Sequence, residues 1–389
     1  MIQSDNKTIN QSQHTRHAYI KILTYLMFFM FAMTSDAVGV IIPELIKTFN
    51  LTLTQASAFH YIPMIAIALS GLFLGFLADK FGRKQTIVVG LLIFSSASFL
   101  FSLGNSFLFF LILLSMIGAA VGIFKTGALA LIGDISSSNK EHTSTMNTVE
   151  GFFGVGAIVG PAIVSYLLIS GVSWKYLYIS AGVLCALLCF MALRTDYPTK
   201  KENIDDSVTL KNTLIMIKNP FALGYSIAIA LYVATEVAIY VWMPTLLTDY
   251  QGSFTVLAGY ALTIFFILRA GGRFLGVWIL KHFNWQQVMM WFSLAIFLCY
   301  LGAMRFGLNA AVFLLPLSGL FMSMIYPTLN SKGISCFPKN QHGAVAGVIL
   351  FFTACSAALG PLLMGLVSDY FGHVKYGFYL AGGFSFLLF

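Results

Sequence analysis

The sequence predicts an all-α membrane protein, with twelve transmembrane helices arranged as two pseudo-symmetric six-helix bundles. Three observations predict it. First, 58% of the 389 residues are hydrophobic and only 9% are charged, against about 25% charged in a soluble domain. A chain this size cannot hide that much apolar surface in a water-soluble core, so it is read as a polytopic membrane protein. Second, twelve apolar runs of near-spanning length succeed one another, centred near Phe29, Ile67, Ser95, Ala119, Val159, Cys185, Val233, Leu268, Phe297, Phe321, Ala354 and Gly382. Third, the second half of the chain echoes the first at an offset of about 200 residues.

The elements follow in order. The N-terminal stretch MIQSDNKTINQSQHTRHAYIK is too polar for a signal peptide, so the first apolar run is expected to remain as a span. The breaks between runs are short and polar, except for the charged stretch from Leu193 to Asn219. This gives an N-terminal bundle over 1–194, a cytoplasmic linker over 195–219 and a C-terminal bundle over 220–389. The last run, Tyr376 to Phe389, has fourteen residues. At ~1.5 Å per residue it reaches ~21 Å, short of a ~30 Å hydrocarbon core, so a twelfth helix cut short is expected.

Orientation is read from the 22 Lys and Arg. With the N-terminus inside, cytoplasmic segments hold fifteen, the outer loops hold four (Lys47, Lys175, Arg305 and Lys375), and Lys125, Arg269 and Arg273 fall within spans. This positive-inside bias predicts a multi-pass inner-membrane protein with a cytoplasmic N-terminus. It also explains the net charge of +8 by topology, so no nucleic-acid partner is called for. The five cysteines have no spacing that indicates a disulfide framework, and no metal site is expected.

The internal repeat has three parts in nearly one register. HTSTMNTVEGFFGVGAIVGPAIV returns as HGAVAGVILFFTACSAALGPLLM, matching His142 with His342 and Gly160-Pro161 with Gly360-Pro361. GFLADKFGRKQ returns, worn, as GVWILKHFNWQ, which pairs Gly75 with Gly276 and Lys80 with Lys281. TSDAVGVIIPELI is echoed by ATEVAIYVWMPTLL, so that Asp36 matches Glu236 and Pro43 matches Pro244. Two such halves point to rocking around a central site near the midplane.

The loop after the second run, GFLADKFGRKQ, resembles the loop 2–3 signature of the major facilitator superfamily. Gly75, Leu77, Ala78, Asp79, Lys80, Gly82, Arg83 and Lys84 all match it. The resemblance implies the twelve-helix fold of that family, no enzymatic activity, and a gating role for this loop. On that reading Asp79 sits against the N-terminal end of helix 11 near Gly343, and Arg83 pairs with Asp134 at the inner end of helix 4. Leu280 stands where the second copy would carry the aspartate, so this latch is expected on one side only.

Each half also carries one acid and one base at membrane depth: Asp36 and Lys125 in the first, Glu236 and Arg269 in the second. Intramembrane charges mark ion or substrate pathways, or pair with one another. All four are candidates for proton coupling and substrate binding, and Asp36 and Glu236 are expected to face each other across a cavity. Arg273 is expected to snorkel, and Glu44, Glu150 and His60 to be solvated or interfacial.

The seventh run, LYVATEVAIYVWMPTLL, is similar to the corresponding helix of the fucose/galactose/glucose proton-symporter branch. The resemblance places Glu236 and Trp242 against a sugar, with Tyr326 or Asn330 completing the site. A fucose permease of that branch carries a carboxylate in helix 4 where this chain has Lys125, and a cation there points to an anionic or zwitterionic substrate. The leading expectation is therefore proton-coupled symport of a small polar metabolite by a monomer, driven by the proton gradient with no cofactor. Efflux by proton antiport is the second reading, because GVGAIVGPAIV is like the Gly-Pro pattern of drug antiporters (Gly156, Gly160, Pro161), although helix packing explains those residues equally well. A transport-inactive membrane receptor is the reading from another class.

Overall fold

A computed structural model describes residues 2–74, 82–136, 139–198, 217–337 and 342–389. Fifteen helices and no strand occur among the described residues: α1 (Ile2–Ser35), α2 (Val38–Phe49), α3 (Leu53–Leu74), α4 (Arg83–Leu100), α5 (Phe107–Ile135), α6 (Asn139–Ile169), α7 (Lys175–Arg194), α8 (Pro220–Leu247), the short α9 (Thr255–Gly259), α10 (Ala261–His282), α11 (Trp285–Phe306), α12 (Leu308–Met322), α13 (Ile325–Ser335), α14 (His342–Phe371) and α15 (Lys375–Leu388). Nine helical stretches among the described residues are long and apolar enough to cross a membrane. The other three expected spans correspond to α3, α4 and α15.

Two spans are interrupted, which the hydropathy pattern did not anticipate. The first consists of α1 and α2 with a turn at Asp36–Ala37, and the tenth of α12 and α13 with a turn at Ser323–Met324. Proline accounts for the second break. Pro327 lacks the N–H that would bond the Ser323 carbonyl, and its ring clashes with that carbonyl. In the first, Pro43 has the same effect on Gly39, one turn beyond Asp36.

The chain forms two compact units. The first comprises Met1–Asp36, Ile65–Gly160 and Gly171–Glu202, and the second Ala37–Met64, Pro161–Ser170 and Asn203–Phe389. The linker expected over 195–219 falls largely on residues outside the described set, and α8 opens at Pro220 with Asn219 as its cap. The bundle boundary read from the sequence takes no account of segments 37–64 and 161–170, which pack with the C-terminal helices.

In unit 1 the core is aromatic around Phe31, whose ring lies 4.8 Å from Phe94 and 4.6 Å from Phe124. Gly156 and Gly160 of α6 lie directly on α1. A Cβ at Gly156 would stand 2.2 Å from the Phe29 carbonyl oxygen, and one at Gly160 would stand 1.9 Å from that of Met33. Only glycine permits this approach.

Unit 2 is built around α8, which is buried almost throughout its second half. The repeat mate of Gly160 has the same role here: a Cβ at Gly360 of α14 would meet Ala234 Cα of α8 at 3.3 Å. Ser356 Oγ of α14 donates to the Ala230 carbonyl at 2.6 Å. Segment 37–64 joins the unit by equally close contacts, since a Cβ at Gly39 would overlap the Tyr240 carbonyl oxygen.

Candidate functional site

The acid and base of unit 2 meet. Glu236, at 7% exposure, projects from the middle of α8, and Arg269 Nε of α10 lies 2.7 Å from its Oε1. The Tyr232 hydroxyl, one turn earlier on α8, lies 2.7 Å from the same Oε1 and 2.9 Å from the Met322 carbonyl oxygen. That carbonyl is the last of α12, released by the break before α13. A phenol has one proton, so Tyr232 donates either to the ionised carboxylate or to the freed carbonyl. Close helix approach makes the cluster possible, because a Cβ at Gly272 of α10 would stand 2.4 Å from Ser323 Oγ at the break.

Tyr300 supports the cluster from α11. Its fully buried hydroxyl donates to the Thr235 carbonyl at 2.6 Å, beside Glu236. Tyr326 of α13 is half-buried with its ring 6.4 Å from that of Tyr232, and half-buried Asn330 follows one turn later. Trp242 departs from the expectation of a sugar platform. It is 1% exposed, and its indole N–H is engaged by the Pro361 carbonyl at 3.1 Å. It packs α8 against α14, as a buried tryptophan with a satisfied N–H does.

In unit 1, Asp36 sits half-buried in the turn between α1 and α2, its N–H bonded to the Ala32 carbonyl. Lys125 of α5 is half-buried, with its ammonium 5.1 Å above the centre of the Phe153 ring. The carboxylates whose fields reach Lys125 are Glu150 and Asp36. Glu150, expected to be solvated or interfacial, is exposed on α6, and its field reaches Lys125. Its signal in the sequence was its place three residues before Phe153, on the same helix face.

His60 departs from the solvated or interfacial position expected of it. It is 1% exposed on α3, 5.5 Å from the Tyr240 ring. Of the loop expected to gate, Gly75, Asp79 and Lys80 lie outside the described residues, as does the loop's side of the expected contact with helix 11. Gly82 opens α4 with φ +91°. Arg83 Nε lies 2.8 Å from Asp134 Oδ2 at the end of α5, the pairing expected from the resemblance. Lys84 donates to the Leu193 carbonyl at 2.8 Å.

A concavity of about 570 Å³ lies elsewhere in unit 2, between α11 and α15, lined by Tyr300, Arg305, Phe378 and Phe386 among others. Neither Glu236 nor Arg269 lines it. No group of metal-ligating side chains occurs among the described residues.

Repeated helical halves, charged side chains at membrane depth and helices interrupted beside those charges define a membrane transporter of the secondary type. The family comparison bears this out. Residues 24–354 match the family model described as Major Facilitator Superfamily, and the chain belongs to that family of transporters, which are not enzymes. The chain is 23% identical over 353 residues to the Protein TsgA homolog of Buchnera aphidicola subsp. Schizaphis graminum (strain Sg), covering 89% of this chain and 88% of that protein. It is 24% identical over 356 residues to Multidrug resistance protein 2 of Bacillus subtilis (strain 168), again over 89% and 88%. Among solved structures, the nucleoside transporter NupG superposes with a TM-score of 0.75 at 17% identity, over 96% of this chain and 96% of that one. The transporter FucP in its outward conformation gives 0.61 at 21% identity, over 95% and 97%. At these identities the structures establish the fold.

Proposed function

We propose that this chain is an inner-membrane secondary transporter, monomeric and with a cytoplasmic N-terminus, that couples proton movement to symport of a small polar metabolite. The substrate class is a sugar, a sugar acid or another organic anion or zwitterion. The observation that carries this reading is the charge group of unit 1: Lys125 half-buried over an aromatic ring, in the field of Asp36 at a helix break. A wall of that kind suits a polar substrate bearing negative charge, because desolvated charge is stabilised only by a matched partner. Asp36 then takes up a proton on one side and releases it on the other. The likeness to FucP and NupG is compatible with a polar substrate.

Efflux is the second reading, favoured by the similarity to Multidrug resistance protein 2. Gly156 and Gly160 do not decide for it, because both are consumed by packing against α1. The test follows external pH in de-energised vesicles as sugars, sugar acids, amino acids and organic acids are added in turn. Alkalinisation on adding one class, saturating with dose and weakened by Lys125→Gln for acids alone, is the expected result. Silence across the panel with folded protein favours efflux, and saturable binding without flux favours a receptor.

A further inference from the structure

The end of α14 holds an arrangement that the repeat described above does not include. GLVSDYFG, residues 365–372, copies GFLADKFG, residues 75–82, at Gly365 for Gly75, Asp369 for Asp79, Phe371 for Phe81 and Gly372 for Gly82. The two glycines that close the copies both have a positive φ, +91° at Gly82 and +78° at Gly372. The second copy closes the eleventh span, whereas the first follows the second span.

Within unit 2 the carboxylate of this copy is occupied. Leu53 N–H donates to Asp369 Oδ1 at 2.8 Å and Thr54 N–H donates to Oδ2 at 2.7 Å. These are the first two residues of α3, whose leading N–H groups have no partner within their own helix. A carboxylate there accepts charge-assisted hydrogen bonds and faces the positive end of the helix dipole. Gly365 brings the two elements together, since a Cβ on it would stand 3.0 Å from the Leu53 carbonyl oxygen and from Thr54 Cα. Beneath the contact, Ser57 is fully buried, and His60 one turn deeper is sealed against Tyr240.

We propose that Asp369 is a second latch, the far-side counterpart of the loop 2–3 signature. Its carboxylate caps helix α3 and holds that end of the transporter shut, and the cap breaks each time that end opens. The resemblance implies one latch, at the loop after the second span. The reciprocal arrangement gives it two: the one the resemblance implies at Asp79, and Asp369 set on the start of α3. The inference rests on alternating access alone and not on the substrate or the proton.

The test needs no substrate. A Ser57→Cys reporter is nearly isosteric and buried, so a polar maleimide reaches it only when this end opens. Labelling is measured in membrane fragments open on both faces, by mass spectrometry of the peptide bearing residue 57. Buried Cys185 of unit 1 is the control for unfolding. Asp369→Asn is expected to raise the labelling rate roughly tenfold, as loss of a charge-assisted pair of bonds shifts the equilibrium toward the open end. Asp369→Glu is expected to restore much of the protection. Leu53→Pro removes one donor at the first helical position, where proline is tolerated, and is expected to act in the same direction by a smaller factor. This variant decides the matter if Asp369→Asn is not recovered in the membrane. Unchanged labelling in both variants overturns the latch. A rise in Asp369→Asn without one in Leu53→Pro overturns the capping mechanism.

Discussion

Glu236 shows what a single residue demands of its surroundings. An ionised carboxylate at 7% exposure survives only with a partner, and Arg269 and Tyr232 converge on one of its oxygens. Glu236→Gln or Arg269→Gln alone leaves the other charge buried, and each is expected to cost about 3 kcal/mol of stability. The double variant is expected to cost clearly less than the sum, and thermal unfolding in detergent measures all three. Additive losses would mean that the two charges do not rely on each other. The sequence made this pair legible, because an acid and a base at membrane depth have few alternatives to meeting. It did not reveal Tyr232, Tyr300 or the true place of Trp242. Which face of α8 meets α12, α11 or α14 is settled by packing among several helices, and periodicity within a buried helix carries no such information. His60 was misjudged for the same reason, since its depth depends on segment 37–64 packing onto α8.

At the scale of elements, hydropathy located the spans but not their interruptions. Apolar content continues through both breaks, so a run centred near Phe321 reads as one helix although Pro327 parts it at Ser323–Met324. The breaks matter because one releases the Met322 carbonyl to Tyr232 and the other carries Asp36. Glycine determines which helices come close enough to use them. Gly160→Ala places a methyl group where the Met33 carbonyl oxygen now lies. It is expected to cost about 1–3 kcal/mol through forced separation of α6 from α1, seen as a lower melting temperature. Gly151→Ala, on the same helix with open space around it, is the control and is expected to leave the melting temperature nearly unchanged. Equal behaviour of the two variants would show that the Gly-Pro segment is not a packing device, and would restore its weight as a sign of antiport.

At the scale of the whole molecule, the proposed function assigns coupling and binding to different charges. Unit 2 contains an acid–base pair in contact, whereas the acid of unit 1 sits in a helix turn, and its field acts with that of Glu150 on Lys125. A pair closed on itself holds structure or binds substrate. An acid at a break, whose surroundings change as the helix halves move, is suited to take up and release a proton. Asp36→Asn fixes that position in a neutral form, equivalent to a permanently protonated acid. The proton-loaded carrier still reorients with substrate bound, so exchange of labelled for unlabelled substrate across the membrane is expected to persist at near-native rates. Net accumulation against a gradient is expected to fall to the background of empty vesicles, because the return step that releases the proton is lost. Both are read in the same vesicles with the substrate that emerges from the pH screen. Loss of exchange together with accumulation would make Asp36 a binding or structural residue and move the coupling role to Glu236. Retained accumulation would remove the proton from Asp36 altogether.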